Sequence, residues 1–135
     1  MDISTLGTVN EDDGIVLHLK DVQGELMYDG EGDSKTPVVI RHAGTYSKTY
    51  RKALADVIKK NSKAARRGVT LDAESAELAA LTVEAACIFE WTFTSGSRPF
   101  PITPDNWRAL IDKQPQFQDQ LRESMSDHER FSSGS

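Results

Sequence analysis

LDAESAELAALTVEAACIFEW, residues 71–91, decides how this chain folds. Leu71, Leu78, Leu81, Ala85 and Ile88, with Ala80, Val83, Cys87 and Trp91, recur at helical spacing and cover a wide apolar arc. Such an arc predicts the central helix of a domain, running from 71 to 93. Thr70 is its expected cap, and Asp72 and Glu74 suit the positive end of the first turn. Its alanines let another backbone come close. Trp91 lies four residues from Cys87 and eight from Val83, which predicts an indole packed into the core along that helix. Cys87, set among Ala85, Ala86, Ile88 and Phe89, reads as a packed thiol, because a nucleophilic cysteine needs an electropositive, partly exposed setting.

C-terminal to this stretch, a loop with Ser-Gly-Ser and two prolines spans 94–102, and Thr103-Pro104-Asp105 then combines a cap, a proline at the first helical position and an early acid. Trp107, Leu110 and Ile111 form the apolar side of the helix over 104–112. Pro115 opens another, over 115–127, with Phe117, Leu121 and Met125 at i, i+4 and i+8. Phe131 closes the ordered chain, and 132–135 is a polar tail.

N-terminal to it, Gly44 marks a change of period. Tyr46, Tyr50, Leu54, Val57 and Ile58 follow at helical spacing, after Thr45 or Ser47 as cap, with Tyr46, Tyr50 and Leu54 expected to pack in the core. Arg66-Arg67-Gly68 ends that helix, with basic residues at its negative end and a glycine for the left-handed cap. Before Gly44 the period is two. Residues 15–20 and 25–28 read as a hairpin closed by Asp21-Val22-Gln23-Gly24, and 37–42 as a third strand begun by proline. His18 and His42 fall on strand faces, and His128 near a helix end. Residues 1–13 are polar and are expected to be a flexible lead-in. The fold expected is α+β and mainly α: a small antiparallel hairpin or meander over 14–43, then four or more helices over 44–131, with no strand beyond residue 70.

The 135 residues, 38% hydrophobic and 27% charged, suit one globular domain. No apolar run is long enough to cross a membrane, and the N-terminus lacks the regions of a signal peptide. A lone cysteine asks for no oxidising compartment, so cytoplasm is expected. The net charge of −5 is uneven: 48–67 carries +7 and the remainder −12. Lys59, Lys63 and Arg66 belong to that basic stretch. It reads first as a solvated helix face and second as a docking surface; an acidic remainder argues against nucleic acid.

Catalytic and metal signatures are missing. Asp29-Gly30-Glu31-Gly32-Asp33 alternates acids as a calcium loop does, but Ser34 and Ile40 stand where that loop requires Gly and Glu. Cys87 and the histidines have no zinc spacing, and the serines at 62 and 95 have no nearby histidine. No enzymatic role, metal or cofactor is expected. The strong signals are apolar and aromatic spacings, which suit protein binding, with Trp107, Leu110, Phe117, Leu121 and Met125 as candidate groove residues.

Scattered residues over 14–131 carry a family likeness. They are Leu19-Lys20-Asp21, Gly24-Glu25-Leu26 and Gly44-Thr45-Tyr46-Ser47-Lys48-x-Tyr50-Arg51, then Ala85-x-x-Ile88-x-x-Trp91 and Pro101, and last Asn106-x-x-x-Leu110, Pro115-x-Phe117-x-x-Gln120-Leu121 and Arg130-Phe131. In this order the chain resembles the tail assembly chaperones of long-tailed phages and prophages. It departs from them in having Thr92-Phe93-Thr94, with Gly96 later, where a glycine often follows the Trp segment. The resemblance implies a non-enzymatic protein of the host bacterial cytoplasm that binds the tape measure protein and keeps it soluble. It further implies help to the tail tube protein as it polymerises and absence from the finished virion. Self-association is expected on physical grounds, since apolar surface kept for a guest can pair with itself when the guest is absent. A virion structural part, such as a head–tail connector or tail terminator, is the main alternative; a nucleic-acid-binding regulator acting through 48–67 is the third.

Overall fold

A computed structural model describes residues 1–132. Its elements in chain order are β1 (Ile15–His18), β2 (Tyr28–Asp29), β3 (Thr36–Pro37), β4 (Val39–His42), α1 (Lys48–Arg66), α2 (Ala73–Cys87), β5 (Ile88–Trp91), β6 (Thr94–Ser95), β7 (Arg98–Pro99), α3 (Pro104–Lys113), α4 (Gln116–Met125) and α5 (His128–Ser132). The fold is mixed: five helices and small antiparallel sheets, roughly half helical. Among the described residues no helix is long and apolar enough to cross a membrane.

The main sheet has the order β1-β4-β5. β1 pairs with β4, Ile15 opposite His42 and Leu17 opposite Ile40, and β4 pairs with β5, Ile40 opposite Trp91. Two expectations are corrected here. The hairpin over 15–28 forms only at its turn end, where Asp21 N–H donates to Glu25 O and Met27 N–H to Leu19 O. Asp21 and Gly24 do make the turn, Asp21 Oδ1 accepting from the Gln23 and Glu25 N–H groups and Gly24 taking φ 85°. The returning segment, however, contributes a single bridge, Lys20 opposite Leu26, and β4 takes the place beside β1. Leu19 joins the layers, its N–H donating to Val38 and its carbonyl accepting from Met27.

The second correction is the central helix, which stops at Cys87 and continues as a strand, with β6 and β7 also lying beyond residue 70. Ile88, Phe89 and Trp91 are β-branched or aromatic residues that suit a pleated surface. The open edge of β4 supplies hydrogen-bonding groups that a continued helix would have left unpaired. Cys87 O accepts from Ala43 N–H at 2.8 Å, and Thr92 N–H donates to Val39 O at 3.2 Å. Trp91 is therefore a half-buried strand residue, its Nε1–H donating to Phe100 O at 2.6 Å.

The core lies between the sheet, the C-terminal half of α2, and α3 with α4. Leu19, Ile40, Leu81, Ile88, Trp107, Ile111, Phe117 and Leu121 are buried there. The caps explain the helix starts: Ser47 Oγ accepts from Tyr50 N–H, Thr103 Oγ1 from Asn106 N–H, and Asp72 rather than Thr70 caps α2 through Ser75 N–H. Asp29, the last residue of β2, and Glu31 and Asp33 on the connection to β3 are all exposed.

The lead-in is corrected at its inner end. Residues 1–10 are exposed, but Glu11 is 1% exposed. Its Oε1 accepts from Tyr46 N–H at 3.0 Å, and its Oε2 lies 2.7 Å from His128 Nδ1. Asp12 caps α1, Oδ2 accepting from Lys48 N–H and Oδ1 from Thr49 N–H and Oγ1. These bonds hold the Asp12 carboxyl below the usual carboxylate range, the Thr49 backbone contributing most. At the other end Ser132 belongs to α5; the rest of the expected tail, 133–135, lies outside the described residues.

Candidate partner-binding groove

The apolar residues singled out by sequence are core residues. Trp107, Phe117, Leu121 and Met125 are all buried, and Leu110 is half-buried against them. α3 and α4 turn their apolar sides to α2 and the sheet, where the core covers them. The basic candidates are placed otherwise: Lys59, Lys63 and Arg66 are all exposed on α1.

Open apolar surface occurs instead along the hairpin of α1 and α2. α1 is amphipathic over 19 residues, yet none of them is buried. Tyr46, Leu54 and Ile58, at 57, 38 and 57% exposure, lie outside the core, and Tyr50 alone of the three expected core residues packs against it. A hollow of about 390 Å³ opens beside Tyr50, Leu54 and Val57 of α1 and Ala79, Ala80 and Val83 of α2, closed at one end by Glu84, Arg122 and Met125. A second, of about 210 Å³, shares Val57 and Ala79 with it but lies on the other face of the hairpin, lined by Lys60, Asn61, Ala64, Val69, Leu71, Ser75, Leu78 and Thr82. The alanines of α2 make the first hollow: larger side chains at 79 and 80 would fill it.

Its closed end is built on a buried carboxylate. Glu84, 5% exposed, accepts from Trp107 Nε1–H at 2.9 Å and Gln118 Nε2 at 2.8 Å through Oε1, and from Arg122 Nε at 2.6 Å through Oε2. A buried carboxylate satisfied by three donors ties α2, α3 and α4 together. Glu84 interrupts the apolar run from Leu81 to Ile88, and that interruption was the signal that could have found it. Glu11 had no such signal, since its partners lie far along the chain.

The fold also brings together one hydroxyl and one imidazole. His42 Nδ1 donates to Ala43 O at 2.9 Å, which leaves Nε2 to accept from Ser124 Oγ at 2.7 Å. Burial pushes the His42 pKa down, with Ala43 opposing and the Arg130 charge adding to the shift. His42 is fully buried and Ser124 nearly so. Ser124 sits inside α4, where the surrounding backbone N–H groups serve the helix and offer no oxyanion donors. The pair pins α4 to β4. Cys87 is buried as well, its thiol pushed up to about 12 by burial and then by the Asp12 and Glu84 charges, so it stays protonated. Among the described residues no group of three or more His, Cys, Asp or Glu is placed to hold a metal ion.

In comparisons with known proteins, no family model, no curated protein and no solved structure matches the chain.

Proposed function

We propose that this chain is a non-enzymatic binding protein whose α1–α2 groove holds an apolar helix of a partner. One observation carries the reading: a 19-residue amphipathic helix with no buried residue flanks an apolar hollow of about 390 Å³. Contiguous exposed apolar surface marks interaction sites, and a groove between helices accepts an amphipathic helix through anchors at i, i+4 and i+7.

The sequence resemblance gives the partner. In this reading the chain is a tail assembly chaperone that holds apolar helices of the tape measure protein in solution within the host bacterial cytoplasm. It hands that protein on as the tail tube protein polymerises, and it leaves before the virion is complete. Lys59, Lys63 and Arg66 steer acidic stretches of the partner toward the groove, which speeds association at low salt. Co-expression tests this: a tape measure fragment is soluble with the chain and aggregates without it. Equal solubility in both cases would refute the reading.

A further inference from the structure

The two arms of the α1–α2 hairpin carry opposite charge on their outer edges. On α1, Lys59, Lys63 and Arg66 recur at i, i+4 and i+7, on the side turned away from the Tyr50–Val57–Ala64 line that meets α2. On α2, Glu74 and Glu77 lie on the side turned away from Ala79, and the helix contains no basic residue. Between these edges the open face is apolar, with Leu54 and Ile58 on one arm and Ala76 and Ala80 on the other. Glu77 also lies 4.0 Å from Arg108, but its side chain is 59% exposed and keeps room for a second partner.

A guest of uniform charge laid along this face would be attracted by one edge and repelled by the other. A second copy of the same hairpin satisfies both. We propose that two copies of this chain pair through their α1–α2 faces, α1 of each lying over α2 of the other, to close a four-helix bundle. The pairing is isologous: the same patch serves both copies, the alanines of one accept Leu54 and Ile58 of the other, and each basic edge meets an acidic one. The inference stands independently of any role in tail assembly. It makes the free groove a dimer face that a guest helix must displace.

Sedimentation equilibrium of the full chain is the test. Wild type sediments at twice its 14.9 kDa at concentrations on the order of 100 µM, and the dimer weakens as salt screens the edges. Lys59→Glu with Lys63→Glu makes both arms acidic, and Glu74→Lys with Glu77→Lys makes both basic, so each double variant alone is monomeric. Mixed in equal amounts, the two form a heterodimer, because each reversed arm then faces its opposite. All four positions are exposed, and circular dichroism checks that the variants keep the fold. A monomeric wild type at that concentration overturns the inference, whether or not it binds a guest helix, and so needs no variant. A double variant that dimerises alone, or a mixture of folded variants that stays monomeric, overturns it as well.

Discussion

His128 Nδ1 lies 2.7 Å from Glu11 Oε2, joining the first residue of α5 to a buried carboxylate 117 positions earlier in the chain. Tyr46 stacks on the same imidazole, with ring centroids 3.5 Å apart and planes 3° from parallel. The segment before β1 thus clamps the start of α1 and the start of α5 to one another.

Removing that clamp destabilises the domain, whereas removing the residues before it does not. Deletion of residues 1–8, all exposed, shifts unfolding stability by less than about 0.5 kcal/mol. Glu11→Ala, which strips the Tyr46 N–H and His128 of a buried partner, costs about 2–4 kcal/mol. Asp12→Ala costs about 1 kcal/mol as a lost helix cap. Urea melts measure all three, and equal values for the deletion and for Glu11→Ala would contradict the clamp.

Glu84 is the second buried carboxylate, and its loss orphans Trp107 Nε1–H and the Gln118 amide. Glu84→Ala lowers stability by about 2–4 kcal/mol, discounted at Arg122 because that side chain is half exposed and recovers water. Glu84→Gln keeps an acceptor and loses less. An Ala variant within about 0.5 kcal/mol of wild type would show that the three donors do not depend on it.

Trp107 and Phe117 act through folding rather than binding. Each is buried, so Trp107→Ala and Phe117→Ala each cost about 3–5 kcal/mol. Guest binding, corrected for the fraction unfolded, stays at the wild-type value. A folded variant at either position that loses binding would return these residues to the partner surface.

These two aromatics show how much of the molecule was legible in the sequence. The starts of α1 and α3 were readable because a cap, a proline and an apolar period agree locally at Ser47 and Thr103–Pro104. The period identified apolar sides correctly but could not say what would cover them. In α3 and α4 it is the core; on α1 it is covered only in part, by α2, and Leu54 and Ile58 stay exposed. The switch from helix to strand after Cys87 was hidden for a related reason. Ala85, Ile88 and Trp91 fit a helical spacing of three, while Phe89, Trp91 and Phe93 fit a strand spacing of two. The open edge of β4, which decides between them, is built by residues 39–42 and invisible locally. The groove alanines were readable as places of close approach, but their partner α1 was not.

Acid weakens the fold through His42. Its folded pKa is depressed by burial below the ordinary 6.5, so below that pH the unfolded chain binds a proton that the folded chain refuses. The contribution is complete above about pH 6.5 and is lost as pH falls through the folded value. Unfolding free energy therefore declines as pH falls below about 6.5, and the decline flattens in His42→Gln. Stability that rises on acidification over that window in wild type, but not in the variant, would reverse the sign assigned to His42.

Ala80, at the wall of the hollow between α1 and α2, is where binding of a partner helix is most directly measured. Isothermal titration of an amphipathic tape measure peptide into the full chain is compared for wild type and Ala80→Arg, with melts confirming that both are folded. Position 80 is half-buried on the groove side, so the arginine obstructs the hollow while its charged head reaches water. Binding to wild type is expected to be saturable, and binding to Ala80→Arg at least about tenfold weaker. No binding to wild type, or equal binding to both, would contradict binding in this hollow.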